Sequence, residues 1–390
     1  GALMNRDDLQ QQAPRQPQND PRPAPPSAEG GASSSQATSA NVSRTPTRPT
    51  PASASSALLL AHGGGGQLTD ELIDQSILPR LGNPALDQLL DAAMVEVTAD
   101  QRLAMTLDGY VVTPWRFPGG DIGRLAVCGT VNDLAVCGAR PVGIALGMII
   151  AEGFARQDLD AVLDSIAAAA DEAGVRVITG DTKVVGADQA DGIYLTTAGV
   201  GLAPRDRRIG FDRVAAGDQI IVNGPIGEHG LAVMLAREMP EVHSTLLTDA
   251  APLNDLIEAL LEACGQGVAF MRDPTRSGVA GVAADLAKHT GLHVSLDEPA
   301  IPVRPQALHV AEMLGLDPLE VANEGKLIAV VRPDATDAAL AAMRSQRLGR
   351  EAAVIGRVEQ PADGLCELVT DIGGRRILTK PYGEQLPRIC

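Results

Sequence analysis

The stretch G-T-V-N-D-L-A-V-C-G-A-R-P, residues 129–141, sets Asn132 and Asp133 inside an otherwise apolar run of small residues. The run predicts a helix over 125–138, followed by a strand over 142–150. Polar groups without partners are costly inside such a buried helix. We therefore expect Asn132 and Asp133 to belong to a functional site.

Strand-like and helix-like segments alternate on both sides of this helix, which predicts an α/β protein with mixed sheets. The other predicted elements are strands at 103–113, 192–202, 219–223, 292–296 and 327–331 and helices at 158–173, from 228, at 253–264 and at 279–290. These elements form two series, which predict two domains that meet near residue 207. The predicted boundaries are an extension over 1–56, an N-terminal domain over 57–206, a C-terminal domain over 207–365 and a mobile tail over 366–390.

The extension is rich in Pro, Ser, Gln, Thr and Ala and contains no aromatic residue. Such a segment cannot bury enough apolar surface to offset the entropy that it would lose on ordering, so we expect it to be disordered. We interpret G-A-L-M, residues 1–4, as a remnant of expression, with Met4 as the natural start.

The composition argues against several classes of partner. The 390 residues carry a formal charge of −17 and no polybasic stretch, which disfavours nucleic acid and anionic membranes. No apolar run approaches the roughly 18 residues that a membrane-spanning helix needs. The five cysteines show neither C-x-x-C spacing nor the density of a secreted disulfide framework. We expect a cytoplasmic protein, with Cys128, Cys137 and Cys264 as small core residues.

Three aspartates are candidates for a metal site that also holds a nucleotide. Asp108 lies towards the end of a predicted strand, Asp181 lies in V-R-V-I-T-G-D-T-K-V-V, residues 175–185, where we predict a strand that runs into a loop, and Asp133 lies in the predicted helix. Mg²⁺ that binds with a nucleotide takes a few carboxylate ligands and leaves its other positions to phosphates and water. The alternatives are, respectively, a turn residue, a loop residue and a polar interruption of a helix.

The glycine run H-G-G-G-G, residues 62–66, is a second candidate for nucleotide binding. Consecutive glycines let several backbone N–H groups approach an anion, which makes Gly64 and Gly65 candidates for phosphate binding. A flexible hinge is the alternative. Neither a P-loop motif nor a dinucleotide motif between a strand and a helix is present.

Three further segments carry charged residues that are suited to catalysis. Lys183 would present a cation to a transferring phosphoryl group, and a solvated surface lysine is the alternative. Glu324, in A-N-E-G-K, can act as a general base if burial raises its pKa, although an exposed turn explains it equally well. The segment M-R-D-P-T-R-S-G, residues 271–278, suits either an anion at a helix entrance or an internal salt bridge.

The chain ends in P-Y-G-E-Q-L-P-R-I-C, residues 381–390. Cys390 is the last residue, so it is not part of a prenylation box, and a terminal residue contributes little to a core. A free and mobile thiol is a nucleophile or a carrier.

The chain resembles the HypE family of hydrogenase maturation factors, the carbamoyl dehydratases. The resemblance runs from about residue 57 to residue 390 and rests on the ordered series H-G-G-G-G, D-G-Y-V-V-T-P, G-T-V-N-D-L-A-V-C-G-A-R-P, T-G-D-T-K-V-V, M-R-D-P-T-R-S-G, A-N-E-G-K and P-R-I-C. The terminal P-R-I-C distinguishes this family from its relatives in the aminoimidazole ribonucleotide synthetase-like (PurM-like) superfamily, such as selenophosphate synthetase and thiamine-monophosphate kinase.

The resemblance implies a PurM-like two-domain fold and a homodimer whose N-terminal domains join in a β-barrel, with ATP and Mg²⁺ near that interface. It implies that the carbamoyltransferase HypF loads a carbamoyl group onto Cys390 and that the enzyme uses ATP to dehydrate this group to a thiocyanate. The cyano group then passes to an iron held by HypC and HypD and becomes a ligand of the [NiFe]-hydrogenase active site.

The resemblance also implies roles for individual residues. The family's metal- and ATP-binding positions correspond to Asp108, Asn132, Asp133 and Asp181. The pair that handles the carbamoyl group corresponds to Lys183 and Glu324, and the carrier corresponds to Cys390.

Two other functions stay open at the level of sequence. One is a different ATP-using ligase or kinase of the same superfamily that acts on a small molecule. The other is a scaffold without catalytic activity, whose terminal tail is a docking peptide.

Overall fold

The computed structural model describes residues 66–81, 86–382, 386 and 388–390. The predicted extension over 1–56 and the glycines Gly64 and Gly65 lie outside these residues. The α-helices among these residues are α1 (Gln67–Leu72), α2 (Leu78–Leu81), α3 (Ile122–Val136), α4 (Arg156–Ala173), α5 (Glu228–Glu238), α6 (Asn254–Cys264), α7 (Gly278–Thr290), α8 (Pro305–Leu314) and α9 (Thr336–Ser345). A π-helical turn, Ile73–Ile77, joins α1 to α2.

The strands form two large sheets and a short ribbon, which confirms the predicted mixed α/β class. The first half of the chain supplies β1 (Ala93–Glu96), β2 (Gln101–Tyr110), β3 (Arg116–Phe117), β4 (Gly120–Asp121), β5 (Arg140–Ala151), β6 (Val177–Val185) and β7 (Ile193–Pro204). The second half supplies β8 (Gln219–Val222), β9 (Val268–Arg272), β10 (His293–Asp297), β11 (Ile328–Val331), β12 (Ala353–Glu359), β13 (Cys366–Val369) and β14 (Arg375–Leu378).

The first sheet has the order β1-β2-β7-β5-β6, and β3 pairs with β4 apart from it. Only the β5–β6 pair in this sheet is parallel. Helices α3 and α4 cover one face of this sheet. Alternate residues of β2, such as Ala104 and Tyr110, point towards this face and are therefore buried. The opposite face of β2 exposes Met105 and Leu107. One face of this sheet is therefore a core and the other is apolar and open in the described chain.

Small residues in α3 allow this helix to lie close against the sheet. A Cβ atom added at Gly129 would lie 2.4 Å from the hydroxyl oxygen of Tyr110 on β2. The helix begins at a conventional cap, since the carboxylate of Asp121 accepts hydrogen bonds from the N–H groups of Gly123 and Arg124 at 2.9 and 3.0 Å. The small-residue pattern of the sequence is thus a packing requirement.

The second sheet has the order β14-β13-β10-β12-β8-β11-β9, with β10 and β13 parallel. Helix α7 packs on one face, while α6 and α9 pack on the other. Strands in this position are buried on both sides, which explains why the four residues of β11 are all buried and all apolar.

The prediction of a mobile tail is wrong for residues 366–378, because β13 and β14 lie within it and pair in the second sheet. Helix α1 then holds the chain that follows. The N–H groups of Gln67 and Leu68 donate to the carbonyls of Pro381 and Tyr382 at 3.0 and 3.2 Å.

The segment V-R-V-I-T-G-D-T-K-V-V, predicted as a strand that runs into a loop, is strand through Val185. Asp181 therefore lies in the middle of β6, at the edge of the first sheet, and not at the end of a strand. Among the described residues, no helix has the length and hydrophobicity to cross a membrane.

Candidate active site

Four of the predicted site residues meet where the two sheets approach each other. Asp108 lies near the end of β2, Asp133 lies on α3, Glu324 lies in the segment before β11, and Cys390 is the last residue. The charge of Asp108 contributes to raising the pKa of each of the other three groups, which places all four in one electrostatic environment. The structure therefore brings together residues that are far apart in the sequence.

Cys390 is half-buried, with its Sγ 3.4 Å from Nε of Arg276. An oxygen of its terminal carboxylate accepts a hydrogen bond from the N–H of Val111 at 3.1 Å. Burial raises the pKa of the thiol; Arg276 opposes this change, and the charge of Glu324 adds to it. The docked thiol is therefore protonated near neutral pH and is a weak nucleophile where it lies.

Glu324 is buried with one carboxyl oxygen unpaired. Its side chain is 2% exposed, and Oε1 has no hydrogen-bond partner among the described residues. Burial raises its pKa well above the usual range, and the charges of Asp273, Asp249 and Asp108 raise it further. A carboxylate with a raised pKa is a stronger base than an ordinary glutamate, which suits it to accept a proton.

Asp133 accepts a hydrogen bond from the hydroxyl of Thr106 at 2.7 Å. Burial, and then the charges of Asp108 and Asp273, hold its pKa well above the usual value. The pKa of Asp273 is raised in the same way, by burial first and then by Asp91 and Asp108. These carboxyl groups form an acidic cluster that would be stabilised by added positive charge.

A cavity of about 670 Å³ opens beside this cluster. Its volume lies in the range of small-molecule sites. Acidic and basic side chains line it together, including Asp91, Asp273, Arg272, Lys288 and Lys380. The basic residues suit phosphates and the carboxylates suit a cation, so the cavity has the chemistry that a metal-bound nucleotide needs.

Asp181 and Lys183 are not part of this site within one chain. They pair with each other at 2.6 Å and are exposed on β6. The register pairs Asp181 with Gly147, which pairs with Thr196 and then Gly109, whereas Asp108 pairs with Thr197. Because neighbours in a strand point to opposite faces, Asp181 and Asp108 lie on opposite faces of the sheet. The predicted aspartate triad is therefore wrong for a single chain.

Asn132 is also placed differently from the prediction. Its side chain is fully buried and donates to the carbonyls of Ala251 and Glu324 at 3.1 and 3.2 Å, and it accepts from the N–H of Leu253 at 2.8 Å. These three hydrogen bonds occupy the amide, so Asn132 joins α3 to the second half of the chain and does not face the cavity as a nucleotide ligand.

Replacing Asn132 with leucine should lower the free energy of unfolding by about 2–3 kcal/mol, because the buried partner groups of Ala251, Leu253 and Glu324 would lose their hydrogen bonds. Urea denaturation measures this change. The matched control is Asn254→Leu at a partly exposed asparagine, whose amide donates to one backbone carbonyl, that of Ala173 at 3.2 Å, so we expect a smaller change of about 1 kcal/mol. Equal losses in the two variants would show that the buried bridge has no special weight.

Sequence reasoning missed residues that the structure adds to the site, above all Arg276, Asp273 and Tyr110. The hydroxyl of Tyr110 donates to Asp108 at 3.2 Å. Arg276 and Asp273 belong to the segment 271–278, which the sequence marked as suited to anions without assigning a role. The signal for the segment was present, but the contact of Arg276 with the terminal thiol spans 114 positions and is visible only in the fold.

The two-domain fold is that of AIR synthase related proteins. The family model for their N-terminal domain matches residues 90–203, and the model for their C-terminal domain matches residues 215–365. The chain is 45% identical over 331 residues to the carbamoyl dehydratase HypE of Bradyrhizobium diazoefficiens. The aligned residues cover 85% of this chain and 95% of that protein. The chain therefore belongs to the HypE family of carbamoyl dehydratases, proteins of hydrogenase maturation.

Solved structures agree with this assignment. A crystal structure of a HypE–HypF complex superposes with a TM-score of 0.75 at 38% identity, covering 80% of this chain and 99% of that one. A crystal structure of the hydrogenase maturation protein HypE in complex with ATP gives a TM-score of 0.71 at 40% identity, covering 86% and 100%.

Proposed function

We propose that this chain uses ATP to dehydrate an S-carbamoyl group on its own Cys390 to a thiocyanate, which supplies cyanide ligands for the iron of [NiFe]-hydrogenase. The observation that carries the proposal is the terminal thiol itself, which lies 3.4 Å from Arg276 and within the electrostatic reach of Glu324. Family membership and the ATP complex of a relative support the use of ATP.

The chemistry explains why these groups are needed. Hydroxide is a poor leaving group, so the carbamoyl oxygen must first accept the γ-phosphoryl group of ATP; it then leaves as phosphate, carrying away the oxygen. Two N–H protons leave as well, while the S–C bond stays intact and a C≡N bond forms. Glu324 has the buried carboxyl group that can collect a proton, and Arg276 has the cation that can stabilise the developing negative charge.

Mg²⁺ fits the acidic cluster. Among the described residues, no three ligating side chains are arranged to hold a metal by themselves. Mg²⁺ bound with a nucleotide needs only one or two carboxylates, because phosphates and water complete its shell. We assign this role to Asp108 and Asp133, with Asp273 as an additional candidate. Bound there, the ion would neutralise the charge of the transferring phosphoryl group.

A homodimer accounts for the exposed face of the first sheet. Met105, Leu107 and Ile149 on this face are 49%, 68% and 42% exposed. An apolar sheet face of this kind is typical of an interface. Asp181 and Lys183 lie on the same face as Ile149, since Ile149 pairs with Lys183. We propose that a dimeric barrel brings this pair to the nucleotide of the partner subunit, where the predicted roles of Asp181 and Lys183 apply.

The remaining predictions complete the proposal. HypF is the carbamoyl donor, supported by the HypE–HypF complex of relatives, and a HypC–HypD complex is the acceptor of the cyano group. Gly64 and Gly65 stay candidates for phosphate binding. The five cysteines are all free, which agrees with a reaction in the cytoplasm.

Release of phosphate from ATP tests this function against a small-molecule kinase or ligase of the same class. Carbamoylated protein mixed with Mg²⁺ and ATP should release one phosphate for each carbamoyl group, because the modified thiol is the substrate. Unmodified protein, which is otherwise identical, should release phosphate at background rate. Equal release by the two preparations would contradict the proposal.

A further inference from the structure

The last residues of the tail, 388–390, bind to a defined set of residues in the fold. Just beyond β2, the N–H of Val111 donates to the terminal carboxylate of Cys390 at 3.1 Å, and the N–H of Thr113 donates to the carbonyl of Arg388 at 3.3 Å. The tail therefore runs antiparallel to this segment and extends the backbone pairing beyond β2. Ile389 points inward and is 4% exposed, packed in the core of the first sheet.

Two side chains of α5 hold the same stretch of tail. His229 Nε2 lies 3.0 Å from the carbonyl of Ile389, and Arg237 Nη2 donates to the carbonyl of Arg388 at 2.6 Å. Arg237 also donates through Nε to the carbonyl of Thr113 at 2.7 Å, so it bridges the tail and the segment beside it. Helix α5 thus contacts two successive carbonyls of the tail.

His229 is fixed in one tautomer by its neighbours. A carbonyl only accepts hydrogen bonds, so the proton is on Nε2, and Nδ1 accepts from the hydroxyl of Thr248 at 2.8 Å. The ring is fully buried, and the edge of Phe117 packs against it with 5.4 Å between centroids. Within the described structure, His229 is not among the residues that line the cavity beside the acidic cluster. Its ring nitrogens instead bind Thr248 and the tail.

We propose that His229 and Arg237 are positioning residues that hold the tail docked and thereby place Cys390 beside Arg276 and Glu324. The docked Cys390 is half-buried beside Arg276, whereas a partner that loads the carbamoyl group needs full access to its thiol. The two side chains therefore favour the intramolecular step and oppose loading. The last part rests on the proposed function; the docking role does not.

The rate at which iodoacetamide alkylates Cys390 tests the docking role on unmodified, full-length protein without ATP. His229→Leu leaves a buried carbonyl without its donor, so the tail should undock more often and alkylation should become about 10-fold faster. His229→Gln keeps an N–H donor at a similar reach and should restore most of the protection. Arg237→Met should also accelerate alkylation.

Two controls make the result specific. Alkylation of the half-buried Cys264, followed by mass spectrometry in the same samples, should not change, and the exposed-site variant His243→Leu should match the wild type. Unchanged alkylation of Cys390 in both His229→Leu and Arg237→Met would overturn the proposal. Equal acceleration at Cys264 and Cys390 would also overturn it, because it would reveal general unfolding instead of tail release.

A second readout connects docking to the reaction. In His229→Leu, dehydration of preloaded carbamoyl protein in a single turnover should slow about 10-fold, whereas loading by the carbamoyl donor should be unchanged or faster. A merely structural role would slow both steps. If Cys390 alkylation changes as expected while no dehydration occurs even in the wild type, the proposed function fails and the docking role stands.

Discussion

Glu324→Gln should yield a protein that accepts the carbamoyl group on Cys390 and binds ATP but does not complete the thiocyanate. Glutamine has nearly the same shape as glutamate, and Oε1 of Glu324 makes no hydrogen bond within the described residues that the change could break, so folding should be preserved. Glutamine cannot accept a proton. We therefore expect dehydration to slow by about 100-fold or more, the usual contribution of a general base.

A time course of intact mass after the addition of Mg²⁺ and ATP measures this effect on preloaded protein. The matched control is Glu312→Gln, which makes the same change at an exposed position of α8. That variant should turn over like the wild type. If Glu324→Gln also turned over at the wild-type rate, Glu324 would have no place in proton transfer.

Cys390→Ala should abolish modification altogether. The variant lacks the sulfur that carries the carbamoyl group, so incubation with the carbamoyl donor should leave its mass unchanged. Equilibrium binding of ATP should stay close to the wild-type value, because Cys390 is absent from the residues that line the cavity beside the acidic cluster. Mass spectrometry and a binding titration measure the two properties on one preparation.

The control for this variant is Cys264→Ala, which removes a half-buried thiol at the end of α6. It should accept the carbamoyl group normally. Carbamoylation of Cys390→Ala to the wild-type extent would place the acceptor elsewhere in the chain and would favour a scaffold or docking role for the tail.

Local patterns predicted most of the elements, because apolar periodicity is a property of neighbouring residues. The β6 segment shows where this reasoning fails. The residues Gly180, Asp181 and Thr182 are typical of a turn, yet they continue a strand at the edge of the sheet, where polar side chains meet solvent. Within a single chain the predicted metal triad fails for the same reason, since strand alternation turns Asp181 away from Asp108.

The polar pair in α3 shows a second limit. The sequence predicted that both Asn132 and Asp133 belong to a functional site, but successive residues of a helix point about 100° apart. One side chain therefore reaches the acidic cluster, while the other binds backbone groups of the second half of the chain. Periodicity does not reveal which side chain reaches which partner, because the partners lie more than 100 positions away for Asn132.

The contacts that hold the tail were the feature least predictable from the sequence. The role of its terminal thiol as a carrier was predictable from the sequence. The residues that contact the docked tail come from the segment just beyond β2, from α5 and from the segment before α7. These parts come from distant positions, so no local pattern indicates them. The structure turns a tail that was expected to be loosely held into one whose last residues occupy defined contacts.

The intact mass of the protein carbamoylated on Cys390 tests the central claim most directly. On addition of Mg²⁺ and ATP, the mass should fall by that of one water molecule, and peptide mapping should place the loss on Cys390. A mass that stays constant while ATP is consumed, or a loss that maps to another residue, would contradict the account.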